Sequence, residues 1–208
     1  MDIKAVIFDF DGVLADSFRH VYALNKKSMA KVGTELSKDQ YRDFFMGNIH
    51  AAFRSFIKDD GAYKKFSELR QRDFGKYYSA VKLFPGAEEF IKDIKNNFSL
   101  AIVSSGDGGW IMKLLKSGNI QDCFRFIDGS ADHSKKQKIN LVLERLKLRP
   151  EEAMLISDTC GDITLAKKLG LKTIGVGWGF HSLSRLQQAG SEFVAENFDD
   201  LYRILDNF

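Results

Sequence analysis

Short apolar runs rich in β-branched residues alternate with longer amphipathic stretches over most of the chain. The runs that predict strands are Ile3–Phe10, Leu100–Val103, Phe124–Ile127, Ala153–Ile156, Thr173–Val176 and, more weakly, Glu192–Ala195. Helical periodicity falls between them, over Ala87–Asn96, Gly109–Lys116, Lys138–Leu146, Ile163–Leu169 and Leu183–Ala189. Continuous apolar strands joined by helices of about 10 residues indicate βαβ units. The pattern therefore predicts an α/β fold with a parallel sheet that is buried on both faces.

One segment, residues 17–83, breaks this alternation because it contains no convincing strand. Its patterns are helical, over Phe18–Val32, Lys38–Met46, Ala51–Lys58 and Ala62–Tyr78. We predict an all-α insert there, within a core made of residues 1–16 and 84–208. Residues 17–82 hold 14 Lys/Arg and 7 Asp/Glu, a net charge of +7, which leaves −4 for the rest of a +3 chain. A basic insert beside an acidic core suggests an anionic ligand, although a solvated lysine-rich face would give the same balance.

Composition narrows the class of protein without naming a function. The chain has 208 residues, of which 44% are apolar and 28% charged, as in ordinary globular proteins. A net charge of +3 does not indicate nucleic-acid binding. Two cysteines form no disulfide framework and fit a reducing compartment. No run approaches the roughly 18 apolar residues of a membrane span, and no signal peptide is evident. We expect a cytoplasmic protein without membrane partners, and the oligomeric state stays open.

The strongest chemical signal is a pair of acids, Asp9 and Asp11, directly after the first apolar strand. Residues two apart in an extended chain point the same way, so both carboxylates are expected to face one site. Their repulsion must be offset by a metal ion or a basic group. Gly12 then allows a sharp turn and a close approach to a ligand. The carboxyl ends of parallel strands are also where α/β sheets bind ligands.

Two further clusters carry polar groups suited to phosphate. Ser104, Ser105 and Gly106 follow the second predicted strand, and a hydroxyl with successive backbone N–H groups can cradle phosphate oxygens. The run from His133 to Lys138 opens an amphipathic helix, and one of its lysines could neutralise charge on a phosphoryl group. Each cluster alone is a weak signal, because serine-glycine loops and solvated lysines are common.

The fourth cluster places Asp158 at the end of another apolar strand, with Asp162 four residues later. We expect Asp162 to cap the following helix, which Gly170 should end. A capping role does not account for Asp158, which is another carboxylate aimed at the same edge of the sheet. Oxygen ligands of this kind suit Mg²⁺ better than zinc or a redox metal.

Taken together, these clusters resemble the haloacid dehalogenase superfamily, and within it the branch of phosphoglycolate phosphatase-like and β-phosphoglucomutase-like proteins. The resemblance covers essentially the whole chain. It includes Asp16-Ser17 at the start of the insert, Phe84-Pro85-Gly86 at its end, and Gly175–Phe180 after the fifth strand. It implies a doubly wound, Rossmann-like core with a helical cap inserted after the first strand.

The resemblance also implies roles for the acids. Asp9 is the expected nucleophile and a Mg²⁺ ligand, and Asp11 is the acid/base, which coordinates Mg²⁺ through its backbone carbonyl. Asp158 is a side-chain ligand of the metal, with Asp162 alongside it. Ser104 is expected to bind the transferring phosphoryl group.

The lysine of the family pattern is harder to assign. Counting back from the helix repeat favours Lys135, but the Lys-Pro pair usual in the family is absent here. Lys136 and Lys138 therefore remain alternatives.

The function implied is that of a Mg²⁺-dependent phosphatase acting on a small phosphorylated metabolite through an aspartyl phosphate. A phosphomutase of the same fold would keep the same acids, and a catalytically idle binding module is a further alternative. Asp11 argues against a dehalogenase, which needs no acid/base two residues after the nucleophile. Cys160, two residues from Asp158, raises the hypothesis of an oxidant-sensitive thiol, against the simpler interpretation of an inert loop residue.

Overall fold

A single parallel sheet organises the larger part of the chain. The computed structural model describes residues 2–130 and 132–208. Within them the strands are β1 (Ala5–Phe8), β2 (Ser99–Val103), β3 (Phe124–Asp128), β4 (Ala153–Ser157), β5 (Lys172–Val176) and β6 (Phe193–Ala195). Their order in the sheet is β3-β2-β1-β4-β5-β6. Strands β2 and β3 therefore lie on one side of β1, and β4, β5 and β6 lie on the other. The predicted doubly wound α/β class is confirmed.

The strands β1, β2 and β4 form the buried centre of the sheet. Nearly all of their residues are inaccessible to solvent, as expected for continuous apolar runs. Phe8, the last residue of β1, pairs with Ile102 of β2 and with Ile156 of β4. The three strands therefore end at nearly the same level, and the loops that follow them emerge at one edge.

Helices make up the segment after β1. They are α1 (Phe18–Ala30), α2 (Lys38–Asp43), α3 (Ile49–Phe56) and α4 (Asp60–Tyr78), with a 3₁₀ turn over Phe44–Met46. The chain divides into two compact units, and Ser17–Val81 form the second. We call this unit the helical unit and the remainder the core. Phe44 and Phe53 are buried and in edge-on contact, with ring centroids 5.3 Å apart, so these rings form the interior of the helical unit.

The core closes on itself where the helical unit is inserted. The backbone N–H of Asp16 donates to the carbonyl of Lys82 (2.9 Å), and that of Phe84 donates to the carbonyl of Leu14 (2.8 Å). Ala15 and Leu83 thereby form an antiparallel bridge. The chain thus leaves and re-enters the core at adjacent points.

The helices of the core alternate with the strands. They are α5 (Ala87–Ile94), α6 (Gly108–Ser117), α7 (Lys135–Leu146), α8 (Cys160–Leu169), α9 (Leu183–Gln188) and α10 (Phe198–Leu205). Helix α7 begins three residues before the predicted start, because Ser134 and Gln137 form a reciprocal capping box. Helix α10 lies beyond the predicted helices. In the described part of the chain, no helix is long and apolar enough to cross a bilayer.

Candidate active site

Three loops meet at the carboxyl edge of the sheet, where the strand order reverses between β1 and β4. Asp9 follows β1, Ser104 follows β2 and Asp158 follows β4. The backbone N–H of Asp9 donates to the carbonyl of Ile156 (2.9 Å), which continues the β1–β4 ladder to the first acid. Such a reversal leaves a crevice that is the usual ligand site of open α/β sheets.

Asp9 is buried and has a cation beside it. Its Oδ1 accepts a hydrogen bond from the backbone N–H of Phe10 (2.8 Å), and its Oδ2 lies 2.9 Å from Nζ of Lys135. Burial raises the pKa of Asp9 to about 7, although Lys135 acts in the opposite direction. The carboxylate is therefore costly to ionise in this site and depends on nearby positive charge.

Lys135 supplies that charge from the first turn of α7. Its Nζ lies 2.6 Å from Oδ2 of Asp162, in addition to its contact with Asp9. Burial alone would lower the pKa of Lys135, but Asp162 and Asp9 outweigh it and the pKa is raised. Lys135 is thus an ammonium ion held between two carboxylates.

Asp162 does not cap helix α8, so that prediction is wrong. The N-cap is Thr159, whose hydroxyl accepts from the backbone N–H of Asp162 (3.4 Å). Oδ2 of Asp162 accepts from Oγ of Ser157 (2.9 Å) as well as from Lys135. Burial acts to raise the pKa of Asp162, but the charge of Lys135 and hydrogen bonds with Asp9, Lys135 and Ser157 together outweigh it, and the pKa is lowered. Asp162 anchors the lysine, and its metal-binding role stays a prediction. Gly170 ends the helix in the left-handed conformation, as predicted.

In the described part of the chain, only one carboxylate oxygen of Asp158 has a hydrogen-bond partner. The side chain is 0% exposed, and its Oδ2 accepts from the backbone N–H of Phe180 (2.7 Å). Its Oδ1 has no hydrogen-bond partner among the described residues. Burial and the charge of Asp9 both raise the pKa of Asp158 well above its usual value. A buried oxygen in this state is energetically unfavourable unless a cation or donor binds it.

Two glycines make room for this carboxylate. Gly12 has a φ of +81°, and a Cβ there would collide with Oδ2 of Asp158 and with the ring of Phe180. A Cβ at Gly179 would collide with the same carboxylate and with the carbonyl oxygen of Gly12. The predicted turn at Gly12 is present, and the space it leaves is taken by Asp158.

Asp11 lies against the loop that follows β2. A Cβ at Gly106 would be 2.6 Å from Oδ2 of Asp11 and 3.2 Å from Oγ of Ser104. The backbone N–H of Gly106 donates to that hydroxyl (2.9 Å), and Ser104 is buried. The structure therefore brings Asp11, Ser104 and Gly106 together, whereas Ser105 is exposed to solvent.

The three candidate lysines have different surroundings. Lys135 contacts Asp9, Lys136 is exposed, and Lys138 is buried. Nζ of Lys138 donates to the carbonyl oxygens of Ser104 and Ser130, and burial lowers its pKa. Geometry therefore favours Lys135 for contact with a phosphoryl group, and Lys138 holds the loop that carries Ser104.

Sequence reasoning missed several of these supporting contacts. The N–H of Phe180, the hydroxyl of Ser157 and the ammonium of Lys138 hold site residues in place, yet none was predicted to do so. The available signal is the segment Gly175–Phe180 after β5, which forms part of the family resemblance. The redox hypothesis for Cys160 finds no support, because its thiol is buried and burial raises its pKa.

Comparison with known proteins identifies the family to which the chain belongs. Residues 6–176 match the sequence model of the haloacid dehalogenase-like hydrolases, which is most of the chain. The chain belongs to this family. The predicted superfamily is therefore confirmed. Together with the phosphatase relatives described next, this also confirms the predicted enzyme class, a phosphoric monoester hydrolase.

Individual relatives of this family are similar over almost their full length. A phosphoglycolate phosphatase of Aquifex aeolicus is 27% identical, over 99% of this chain and 98% of the relative. A phosphoglycolate phosphatase of Synechococcus elongatus is 25% identical, over 96% of this chain and 95% of the relative. The crystal structure of a predicted phosphatase from Clostridium acetobutylicum superposes with a TM-score of 0.86 at 23% identity, covering 100% of both chains. This last likeness shows the shared fold.

Replacing Lys138 with methionine should destabilise the protein, because the carbonyl oxygens of Ser104 and Ser130 would lose a buried donor. We expect Lys138→Met to lower the free energy of unfolding by about 1–3 kcal/mol in urea denaturation. The matched control is Lys136→Met on the exposed side of the same turn, which should stay within about 0.5 kcal/mol of wild type. Equal stability of the two variants would contradict a positioning role for Lys138.

Proposed function

We propose that this chain is a Mg²⁺-dependent phosphatase that cleaves a small phosphorylated metabolite through an aspartyl phosphate on Asp9. One observation carries the proposal. A buried nucleophile candidate, Asp9, has an ammonium ion 2.9 Å from its Oδ2 and lies near Asp158, whose Oδ1 has no partner in the described structure. Nucleophile, cation and vacant ligand oxygen thus converge at the edge of the sheet where ligands bind.

The donor set is suited to Mg²⁺. Candidate ligands are carboxylate oxygens of Asp9 and Asp158 and the backbone carbonyl of Asp11. Within the described residues, no three His, Cys, Asp or Glu side chains are grouped closely enough to hold a metal by themselves. Mg²⁺ does not need such a cage, because it is usually held by one or two carboxylates together with waters and substrate phosphate. When bound, it would supply positive charge to the phosphoryl oxygens and to both buried carboxylates.

The first step transfers the phosphoryl group to the protein. An oxygen of Asp9 attacks phosphorus in line with the ester bond, the new O–P bond forms, and the ester P–O bond breaks. Asp11 donates a proton to the leaving alkoxide. The ammonium of Lys135 and the hydroxyl of Ser104 stabilise charge on the transferring oxygens.

The second step restores the nucleophile. Asp11, now a carboxylate, takes a proton from a water molecule that attacks the phosphorus of the aspartyl phosphate. The bond between Asp9 and phosphorus breaks and inorganic phosphate leaves, so atoms and charge balance over the cycle.

The substrate class is proposed from the relatives. The relatives from Aquifex aeolicus and Synechococcus elongatus are named phosphoglycolate phosphatases, and we propose a substrate of that kind or a sugar phosphate. We also propose that residues 17–83 are the cap domain of the family, and that the protein is cytoplasmic, where its two free cysteines would stay reduced.

A phosphomutase is the alternative function that would use the same acidic residues. An assay that measures released phosphate and isomerised sugar distinguishes the two functions.

Removing the nucleophile should abolish turnover without unfolding the chain. Asp9→Asn preserves the shape of the side chain but cannot form the phosphoenzyme, so we expect kcat on p-nitrophenyl phosphate to fall at least about 1,000-fold. Circular dichroism should remain that of wild type. Asp206→Asn, an exposed acid at the end of α10, serves as control and should keep full activity. Substantial turnover by Asp9→Asn would exclude the mechanism.

Metal removal should have a reversible effect. Dialysis against EDTA is expected to abolish phosphatase activity, and added MgCl₂ should restore it, because the charge on the phosphoryl oxygens then lacks its counterion. Metal binding should also be measurable without turnover, as a rise in melting temperature when MgCl₂ is titrated into the stripped protein. Full activity after chelation, with no thermal shift, would rule out Mg²⁺ dependence.

Lys135 should be required for chemistry as well as for stability. Lys135→Met leaves Asp9 and Asp162 buried without their cation, so we expect a loss of about 3–5 kcal/mol in unfolding free energy. Adding Asp162→Asn removes one stranded carboxylate and should recover part of that stability. Activity of the double variant should remain at least about 100-fold below wild type. Recovery of activity together with stability would show that Lys135 acts only on folding.

A further inference from the structure

The loop that carries Asp158 is hydrogen-bonded to a buried histidine of another loop. His181 lies in the core between β5 and α9 and is 1% exposed to solvent. Its Nδ1 accepts a hydrogen bond from the backbone N–H of Cys160 (2.9 Å). Its own backbone N–H donates to the carbonyl of Asp158 (3.2 Å). His181 therefore holds the chain on both sides of Thr159.

The backbone N–H that His181 accepts from cannot be satisfied within its own helix. Cys160 is the first residue of α8, and the N–H groups of the first turn of a helix have no partner in the helix itself. The N-cap, Thr159, accepts from the N–H of Asp162. Because Cys160 is buried, a side chain without an acceptor at position 181 would leave a buried donor unpaired.

Three hydrogen bonds between the two loops determine the position of Asp158. Its Oδ2 accepts from the N–H of Phe180 (2.7 Å), and its carbonyl accepts from the N–H of His181. The third is the bond from Cys160 to Nδ1 of His181. Together they hold the backbone and one carboxylate oxygen of Asp158, so the position of Oδ1, the candidate metal ligand, is fixed as well. Of the three bonds, the one to Nδ1 can be removed by substitution of residue 181.

The start of α8 also carries the residue that anchors the lysine of the site. Asp162 lies two residues after Cys160, in the first turn, and its Oδ2 accepts from Nζ of Lys135 (2.6 Å). The same turn packs on α9, where Cys160 and Ile163 form a buried cluster with Leu186. The bond to His181 therefore joins two packed elements at the point where the acids of the site are carried.

We propose that His181 is a positioning residue of the metal site, and that the acceptor at its Nδ1 sets the affinity of Asp158 for Mg²⁺. The inference rests on the proposed phosphatase function and deepens it. His181 acts through the backbone of residues 158–160 and not by contact with metal or substrate. Loss of a group that orients a metal ligand typically weakens metal binding 10- to 100-fold.

Three substitutions of His181 test the acceptor. Asparagine places its carbonyl oxygen where Nδ1 lies, because both atoms are bonded to Cγ, whereas glutamine places its oxygen one bond further out and phenylalanine has no acceptor. The Kd for Mg²⁺ is measured by isothermal titration calorimetry on metal-free protein, without turnover. We expect His181→Phe and His181→Gln to raise this Kd by about 10- to 100-fold, and His181→Asn to stay within about threefold of wild type.

Two controls separate positioning of the metal ligand from general loss of stability. Leu205→Ala removes a buried side chain from α10, which packs on β6 and α5, so it should lower Tm and leave the Kd for Mg²⁺ within about twofold of wild type. At saturating MgCl₂, kcat of His181→Gln on p-nitrophenyl phosphate should return to within about fivefold of wild type, because the reacting groups are intact. His181→Gln also carries the test if His181→Phe fails to fold.

The outcomes distinguish this inference from the proposed function. An unchanged Kd in His181→Gln, equal Kd values for the asparagine and glutamine variants, or an equal rise in Leu205→Ala overturns the positioning role and leaves the phosphatase standing. Turnover by a wild-type protein that binds no Mg²⁺ overturns the metal site and the role of His181 together. Absence of both Mg²⁺ binding and turnover overturns the proposed function and this inference with it.

Discussion

Asp9 and Asp158 lie buried at neighbouring strand ends, where the charge of Asp9 raises the pKa of Asp158 and burial raises the pKa of both. Such a pair is stable only with positive charge nearby. Lys135 provides part of it, and it is kept ionised by its second contact with Asp162. Oδ1 of Asp158, which has no hydrogen-bond partner among the residues that the structure describes, marks the place where further positive charge is needed. The same excess of negative charge that destabilises the fold favours binding of a cation, as the proposed metal site requires.

The surrounding loops fix the positions of the charged groups of the site. The loop after β5 comes so close to Asp158 that only glycine fits at position 179, and the N–H of Phe180 fixes one carboxylate oxygen. On the other side, Lys138 ties the carbonyl of Ser104 to that of Ser130. Because these donors are already paired, they fix the position of Asp158 and of the loop that carries Ser104 before a ligand binds.

Sequence patterns predicted the sheet and the acids because both follow local rules. A buried strand shows as an apolar run, and a polar residue at its end lies at the carboxyl edge, as Asp9 and Asp158 do. Counting along the helix repeat favoured Lys135 but left Lys136 and Lys138 open, because the assignment depends on the phase of α7. The capping box at Ser134 starts the helix at Lys135, three residues before the predicted start, and this directs Lys135 to Asp9 while Lys138 is buried. Contacts between distant loops, such as Phe180 with Asp158, leave no local pattern.

The bridge between Ala15 and Leu83 has a consequence for how this architecture can change. In the topology of the sheet, residues 17–81 form one long insertion, and the chain segments at its two ends are hydrogen-bonded to each other. The entropy lost on closing a flexible loop grows only with the logarithm of its length, about 0.6 kcal/mol for each doubling. The free energy of pairing β1 with β2 therefore depends only weakly on the length of the insert between them. Evolution can enlarge, shorten or exchange that insert while the sheet and its acids stay as they are.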